Sequence, residues 1–342
     1  MTLDLTIAIP VRNDTGHLIQ LLASLAALDL ARQVIVADDG SDEPVAAAAL
    51  ARASGFPAER LAVLRLDRGR GAGAARNLAL RAVRTRHLLF LDADDRPTRE
   101  LRSLCAALAQ AGEFDFCIFQ HHDSRLAKDR LFGQPCHDQA FWAAAGLARG
   151  ALAPVSDAAA AQLAQTANYP WNKIYRTEFL HAQGITCTEI SVHNDVELHW
   201  MSFLKAGRIL ASDHIGVVHF VDEAGQRLTN RFGPERLQVF QAFEAVAQEI
   251  RRAPERGLGL PFYAFTLGLI GWIRDRMQPG LHPRLAASAA GFLEHNRTAA
   301  QRAELRRLQP EAYERILHLI AAHAPANLPG LLEAPAAERR RA

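Results

Sequence analysis

The feature that most constrains this 342-residue chain is an alternation that fills its first 120 residues. Short β-branched or Leu-rich runs, "LTIAIP", "QVIVA", "LAVLRL", "HLLFL" and "FDFCIFQ", read as buried strands. Between them "HLIQLLASLAAL", "PVAAAALARAS", "GAARNLALRAV" and "RELRSLCAALAQAG" space their apolar residues at helical period. Strand-helix-strand repetition needs crossover connections, so the strands should lie mainly parallel with helices on both faces. The strand ends at Pro10, Ala37, Leu66 and Leu91 recur at intervals of 27, 29 and 25 residues, near the size of one βαβ unit. The fold class is therefore α/β, a Rossmann-like, mainly parallel sheet flanked by helices.

Directly after the first four strands come "VRND", "DDGSD", "DRGRGAG" and "DADD". In a parallel sheet these positions share the carboxyl edge, where open α/β proteins bind ligands. Asp92, Asp94 and Asp95 crowd into four positions and repel one another unless something positive lies among them. Their hard oxygens suit Mg2+ or Mn2+ held together with phosphates. The other reading is that one of them caps the helix expected near Pro97. Asp38 and Asp39 offer acceptors to nucleobase N–H or ribose hydroxyl groups. Gly69, Gly71 and Gly73 allow close backbone approach, while Arg68, Arg70 and Arg76 can offset phosphate charge. "GRGAGA" also satisfies the G-x-G-x-x-A dinucleotide fingerprint, with Asp92 about 20 residues further on. That makes an NAD(P)-dependent oxidoreductase the alternative, although the match sits on the third βα unit, two charged residues beyond its strand.

Apolar residues at 49% and charged residues at 22% exclude a disordered chain, and a net charge of +2 gives no reason to expect a nucleic-acid partner. Cys105, Cys117, Cys136 and Cys187 form no C-x-x-C pair and no zinc spacing, so they read as reduced thiols. The first residues lack a basic, apolar leader, which leads to the expectation of a cytoplasmic protein. The longest uncharged run, Gly257 to Ile273, is 17 residues against the roughly 20 of a spanning helix. It reads as a buried helix, with a membrane-surface helix as the other reading and hence peripheral contact at the inner face of the plasma membrane. An Ala-rich stretch, residues 139–166, should form one or two helices around Pro154. The dense aromatic and polar block that opens "NYPWNKIYRTEFLHAQG" suggests a second set of site residues. Beyond Pro234 the pattern is amphipathic helix, with Val239, Phe240, Phe243, Val246 and Ile250 on one face.

The ordered motifs "IAIPVRNDTGHLIQLLASL", "VIVADDGSDE", "GAGAARNLAL" and "HLLFLDADDRP" resemble family 2 of the GT-A glycosyltransferases over about the first 110 residues. "PWNKIYRTEFLHAQGI", followed by an acidic position and a helix, is similar to bacterial members of that family. The resemblance implies a GT-A fold with a C-terminal helical extension and a nucleotide-diphosphate sugar donor, a UDP-sugar by default. It implies inverting, Mn2+- or Mg2+-dependent transfer to a hydroxyl of a glycan or lipid-linked acceptor in cell-surface polysaccharide synthesis. By the same resemblance Pro10, Val11 and Asn13 line base and ribose, Asp39 contacts the base and Arg76 lies near the nucleotide. Asp92, Asp94 and Asp95 match the D-x-D region: Asp94 is the leading metal ligand, with Asp92 or Asp95 holding metal, ribose or sugar. Where the family has Glu-Asp or Asp-Asp this chain has His193, Asn194 and Asp195, so Asn194 departs from the pattern and Asp195 is the implied base. Its other reading is the first-turn acid of the helix it opens. His219 is implied as a further metal ligand, and Arg227 or Arg231 as phosphate contacts. Trp171, Asn172 and Lys173 would meet acceptor or diphosphate, unless Trp171 and Tyr175 pack in the core. Residues 1–120 are then the donor half, 121–233 the acceptor half, 234–335 the helical extension and 336–342 a disordered tail. A non-catalytic, glycosyltransferase-like binding protein is the remaining alternative.

Overall fold

The apolar runs become strands where the alternation places them, in a computed structural model that describes residues 3–129, 131–148, 150, 152–220 and 232–323. Strands β1 (Leu5–Val11), β2 (Gln33–Asp38), β3 (Leu61–Arg65) and β4 (His87–Phe90) lie parallel in the order β3-β2-β1-β4. All seven residues of β1 are buried, because helices cover both faces of a parallel sheet and leave no solvent side for alternate residues. Helices α1 (Thr15–Leu28), α2 (Ala47–Ser54), α3 (Ala72–Ala82) and α4 (Arg99–Leu108) complete the repeats. Helix α1 starts where the Asp14 side chain accepts from His17 N, and it buries Leu18, Leu21, Leu22 and Leu25. Each such leucine removed from water contributes about 1.5–3 kcal/mol. Helix α4 is capped by Thr98, whose hydroxyl accepts from Glu100 N and Leu101 N, so none of the three preceding aspartates is its cap.

The second half of the sheet departs from the simple repeat. Strand β5 (Arg96–Pro97) is a two-residue edge piece, and β6 (Phe116–Asp123) does not pair with β4. After α5 (Cys136–Ala144), β7 (Ala153–Pro154) and α6 (Asp157–Leu163), strand β8 (Lys173–Arg176) inserts between β4 and β6, antiparallel to both. Helices α7 (Thr177–Ala182) and α8 (Val196–Lys205) follow, and β9 (Ile209–His219) then pairs parallel to β6 and antiparallel to β5 and β7. The sheet is thus parallel through its first four strands and mixed beyond them, because a four-residue run such as "KIYR" carries no signal of direction. The consequence is geometric. A strand running backwards starts at the edge where its neighbours end, so the Pro170–Asn172 turn joins the ends of β4, β6 and β9 on the carboxyl edge. The two Ala-rich helices flank Pro154 as their composition suggests.

Contacts divide the chain into two compact units, Met1–Gly225 and Gln226–Ala342. The second is helical, comprising α9 (Val239–Arg252), α10 (Gly259–Arg276), α11 (His282–Asn296), α12 (Ala299–Leu308) and α13 (Pro310–His323). Val239, Phe243, Val246 and Ile250 of the expected face of α9 are buried, with Phe240 half-buried beside them. The uncharged run lies mostly within α10 and buries Phe262, Tyr263, Leu267, Ile270 and Ile273. Among the described residues no helix is long and apolar enough to cross a membrane. Cys105, Cys117 and Cys187 are buried, Cys136 is exposed, and all four are free thiols.

Candidate functional site

The strand-end clusters meet through a network that converges on Arg76. Its guanidinium, on α3 and only 5% exposed, donates from Nη2 to Asp92 Oδ1 at 2.6 Å and from Nη1 to Asn194 Oδ1 at 2.7 Å. Burial opposes the charge of Arg76, but Asp92, Cys187 and Asp195 around it outweigh burial and raise its pKa. The positive group that the crowded aspartates require is therefore supplied, for Asp92, by the protein itself. Asn194, the departure from the acidic pair, works here as a neutral acceptor: a second carboxylate is not needed to hold Arg76.

Glycines bring α3 to this point. Gly71 adopts φ +96°, a left-handed conformation, and a Cβ on Gly73 would stand 2.4 Å from the Thr188 carbonyl oxygen and 3.0 Å from Asn194 Cβ. The glycine face of "GRGAGA" is thus filled by the segment that leads to Asp195. It is not open for a pyrophosphate, and Asp92 is committed to Arg76, so the dinucleotide reading loses both of its supports. Asp39 accepts from Arg70 N at 2.7 Å and Gly71 N at 2.8 Å, fastening the glycine loop to β2. Asp38 accepts from Ser41 N and from the Arg65 guanidinium; burial pushes its carboxyl up, but these bonds prevail and lower it. Arg70 reaches Glu189 instead of standing open for phosphate. Asn13, at φ 55°, exchanges hydrogen bonds with Asp42 and donates its backbone N–H to Ser41 Oγ, while Pro10 and Val11 are buried at the end of β1.

Asp195 stands at the start of α8, yet its side chain makes no capping bond. Its Oδ1 accepts from the amide of Asn168. Burial lifts the Asp195 carboxyl to about 6; Arg76 and Lys173 pull it down and Asp92 pushes it up. Lys173 is fully buried and donates from Nζ to Tyr169 O at 2.7 Å and Asn172 Oδ1 at 2.6 Å. Burial brings its ammonium down to about 7, against the pull of Asp195 and Asp138. Trp171 is 1% exposed and clusters with Tyr169 and His219, at centroid separations of 4.3 and 4.9 Å. Trp171, Asn172 and Lys173 therefore form the floor under the edge instead of lining it as sugar or diphosphate contacts. Tyr175 packs between Phe90 and Phe116 in the core.

Asp95 is fully buried, and its Oδ1 lies 2.8 Å from His219 Nδ1. Burial pushes the Asp95 carboxyl up; burial also opposes the charge on His219, but the Asp95 carboxylate prevails and raises its imidazole, so the two titrate as a linked pair. Among the described residues no three His, Cys, Asp or Glu side chains are gathered to hold a metal ion, so the expected set of Asp92, Asp94 and His219 is not assembled. Asp92 is bonded to Arg76, and His219 is bonded to Asp95 through Nδ1. What does fit a cation is the buried Asp95 Oδ2, which has no hydrogen-bond partner, with half-buried Asp94 next to it in the turn. Two hard carboxylates suit Mg2+ or Mn2+ whose remaining positions are filled by phosphate oxygens and water. Arg227 and Arg231 lie outside the described residues. Asn168 and Asp138 were not singled out by the sequence; Asn168 had only its membership of the polar block as a signal, and Asp138 had none.

Comparisons with known proteins bear on the family and the fold. Residues 6–143 match the family described as "Glycosyl transferase family 2". Over 98 residues the chain is 40% identical to a pre-mycofactocin glycosyltransferase of Mycobacterium tuberculosis, covering 28% of this chain and 19% of that protein. Over 92 residues it is 37% identical to the succinoglycan biosynthesis protein ExoU of Rhizobium meliloti, covering 27% of this chain and 26% of the relative. The match therefore spans about a quarter or less of these relatives. Among solved structures, residues 1–349 of S. aureus TarS in complex with UDP-GlcNAc align at a TM-score of 0.71 and 20% identity, covering 94% of this chain and 89% of that one. The mannosyltransferase PcManGT of Pyrobaculum calidifontis, in complex with GDP-Man and Mn2+, aligns at 0.54 and 16%, covering 94% and 86%. At such identities these likenesses speak to the fold. Residues 6–143 thus match glycosyl transferase family 2, and the fold is GT-A.

Proposed function

We propose that the chain transfers a sugar, with inversion, from a nucleoside-diphosphate donor to a hydroxyl of a glycan or lipid-linked acceptor. The observation that carries this reading is Asp195: a carboxyl at the ligand edge of the sheet, withheld from its own helix cap and with a pKa near 6, suited to act as a general base at neutral pH. Residues 1–120 hold the donor, with Pro10, Val11 and Asn13 at base and ribose. Asp39 acts there by fixing the glycine loop. Residues 121–233 shape the acceptor side, and residues 234–335 form the extension. Mn2+ or Mg2+, held by Asp94 with Asp95, would neutralise charge on the departing diphosphate. Arg76 holds Asp92 and Asn194 in place and so orients both walls of the site. Asp195 accepts the proton of the acceptor hydroxyl as its oxygen attacks the anomeric carbon from the face opposite the diphosphate.

A UDP-sugar is supported by the UDP-GlcNAc complex of TarS, and a metal by the Mn2+ complex of PcManGT. A role in polysaccharide assembly is supported by the succinoglycan biosynthesis proteins that the chain resembles. The test is Asp195→Asn. Across a panel of nucleotide sugars with Mn2+, transfer should fall by about 10²–10⁴-fold while UDP affinity by calorimetry stays within error. A variant that keeps most of its transfer rate refutes Asp195 as base. A wild type that binds UDP but turns over no donor points to the non-catalytic alternative.

A further inference from the structure

Beneath the site, two buried charged side chains are used on one short stretch of backbone. Asp138, on α5 and 3% exposed, accepts from Ala167 N at 3.0 Å. Lys173, at the start of β8, donates to Tyr169 O at 2.7 Å. Burying an aspartate and a lysine costs several kcal/mol each unless strong bonds compensate, and these two are bonded to the residues immediately before and after Asn168. Helix α8 is tied to the same region, since His199 Nε2 lies 2.9 Å from Ala164 O. The residue so framed from both sides places its amide on Asp195 Oδ1.

We propose that Asn168 is a positioning residue for Asp195: its amide takes one carboxylate oxygen, aims the other at the acceptor hydroxyl, and stabilises the ionised form. This rests on the reading of Asp195 as the base. The reasoning is electrostatic as well as steric. Asp195 is surrounded by Arg76 from α3, Asp92 after β4, Lys173 from β8, and more distantly by Tyr169, Tyr175 and Cys187. Arg76 already bonds Asp92 and Asn194, and Lys173 already bonds Tyr169 and Asn172. Asn168 supplies a donor directly to the carboxylate and adds no charge to the acceptor's path.

The test compares wild type with Asn168→Ala and the nearly isosteric Asn168→Leu. Carbon-13 NMR of aspartate-labelled protein follows the Asp195 carboxyl, identified by its loss in Asp195→Asn, and needs no substrate. Losing a donor to the charged form should raise its midpoint by about one unit in both variants. Transfer should fall about tenfold or more in kcat, with donor KM and UDP affinity unchanged. Thermal unfolding near that of wild type confirms that the variants are folded. An unmoved midpoint in the leucine variant overturns the proposal. If Asp195→Asn loses transfer while Asn168→Leu keeps its rate and midpoint, this inference alone fails; if Asp195→Asn keeps transfer, the base assignment fails with it.

Discussion

Replacing Arg76 by Met tests the core of the site, because the change keeps most of the side chain's volume and removes both hydrogen-bonding arms. Breaking a buried ion pair from one side costs about 3–5 kcal/mol when the remaining charge is fully enclosed. Here the Asp92 side chain is 30% exposed, so water recovers part of that loss. About 2 kcal/mol is a fair figure for the stranded carboxylate. Asn194, 6% exposed, loses its donor as well, adding about 1 kcal/mol. A loss of about 3 kcal/mol in a unit of this size corresponds to a fall of about 6–12 °C in Tm, measurable by calorimetry. The same change removes the largest influence holding the Asp195 carboxyl down, so the acid limb of transfer should move to higher pH. Arg76→Lys, which keeps the charge but cannot span both partners, should fall between the two. A Tm within about 2 °C of wild type, with an unmoved limb, would show that Asp92 and Asn194 do not depend on Arg76.

Two further outcomes are expected. His87, buried and stacked on Phe114 at 5.1 Å, has its imidazole brought down to about 4 by burial and then by the charge of Arg86. It stays neutral in the fold while the unfolded chain takes up a proton near pH 6.5, so stability is complete above that value and is lost as pH falls toward 4. His87→Phe should keep the stack and lessen this acid loss by up to about 3 kcal/mol, read from urea midpoints at pH 7 and pH 4.5; an equal loss in both proteins refutes it. Asp94→Ala should abolish the gain in UDP affinity that Mn2+ confers, measured by calorimetry with and without the ion, and an undiminished gain removes Asp94 as ligand.

Much of this was legible in the residues. Buried strands have few alternatives to their Val, Ile and Leu runs, and crossover helices must follow a parallel strand, so β1 to β4 and their shared edge could be read directly. The aspartates after β4 stood out because charge clustered beside apolar runs is costly without a use, whereas Asp195 was named only through the family resemblance. Their division of labour was less visible. The sequence did not show that Arg76, 16 residues away, bonds Asp92, or that His219 bonds Asp95. Trp171 read equally as an acceptor or diphosphate contact and as a core residue, because aromatic rings serve cores and binding sites equally well and only burial separates the two.

The sequence by itself determined the βα alternation, the family model matched by residues 6–143 and the edge on which the strand-end polar clusters lie, because local periodicity and strand-end chemistry are properties of contiguous residues. The tertiary structure alone decided that β8 runs backwards between β4 and β6, and this follows from pairing partners distant in the chain. That reversal brings the turn before β8 to the carboxyl edge and sets Asn168 against Asp195, 27 residues apart. Contacts across such separations depend on how elements pack, and no spacing rule within a single strand or helix encodes them.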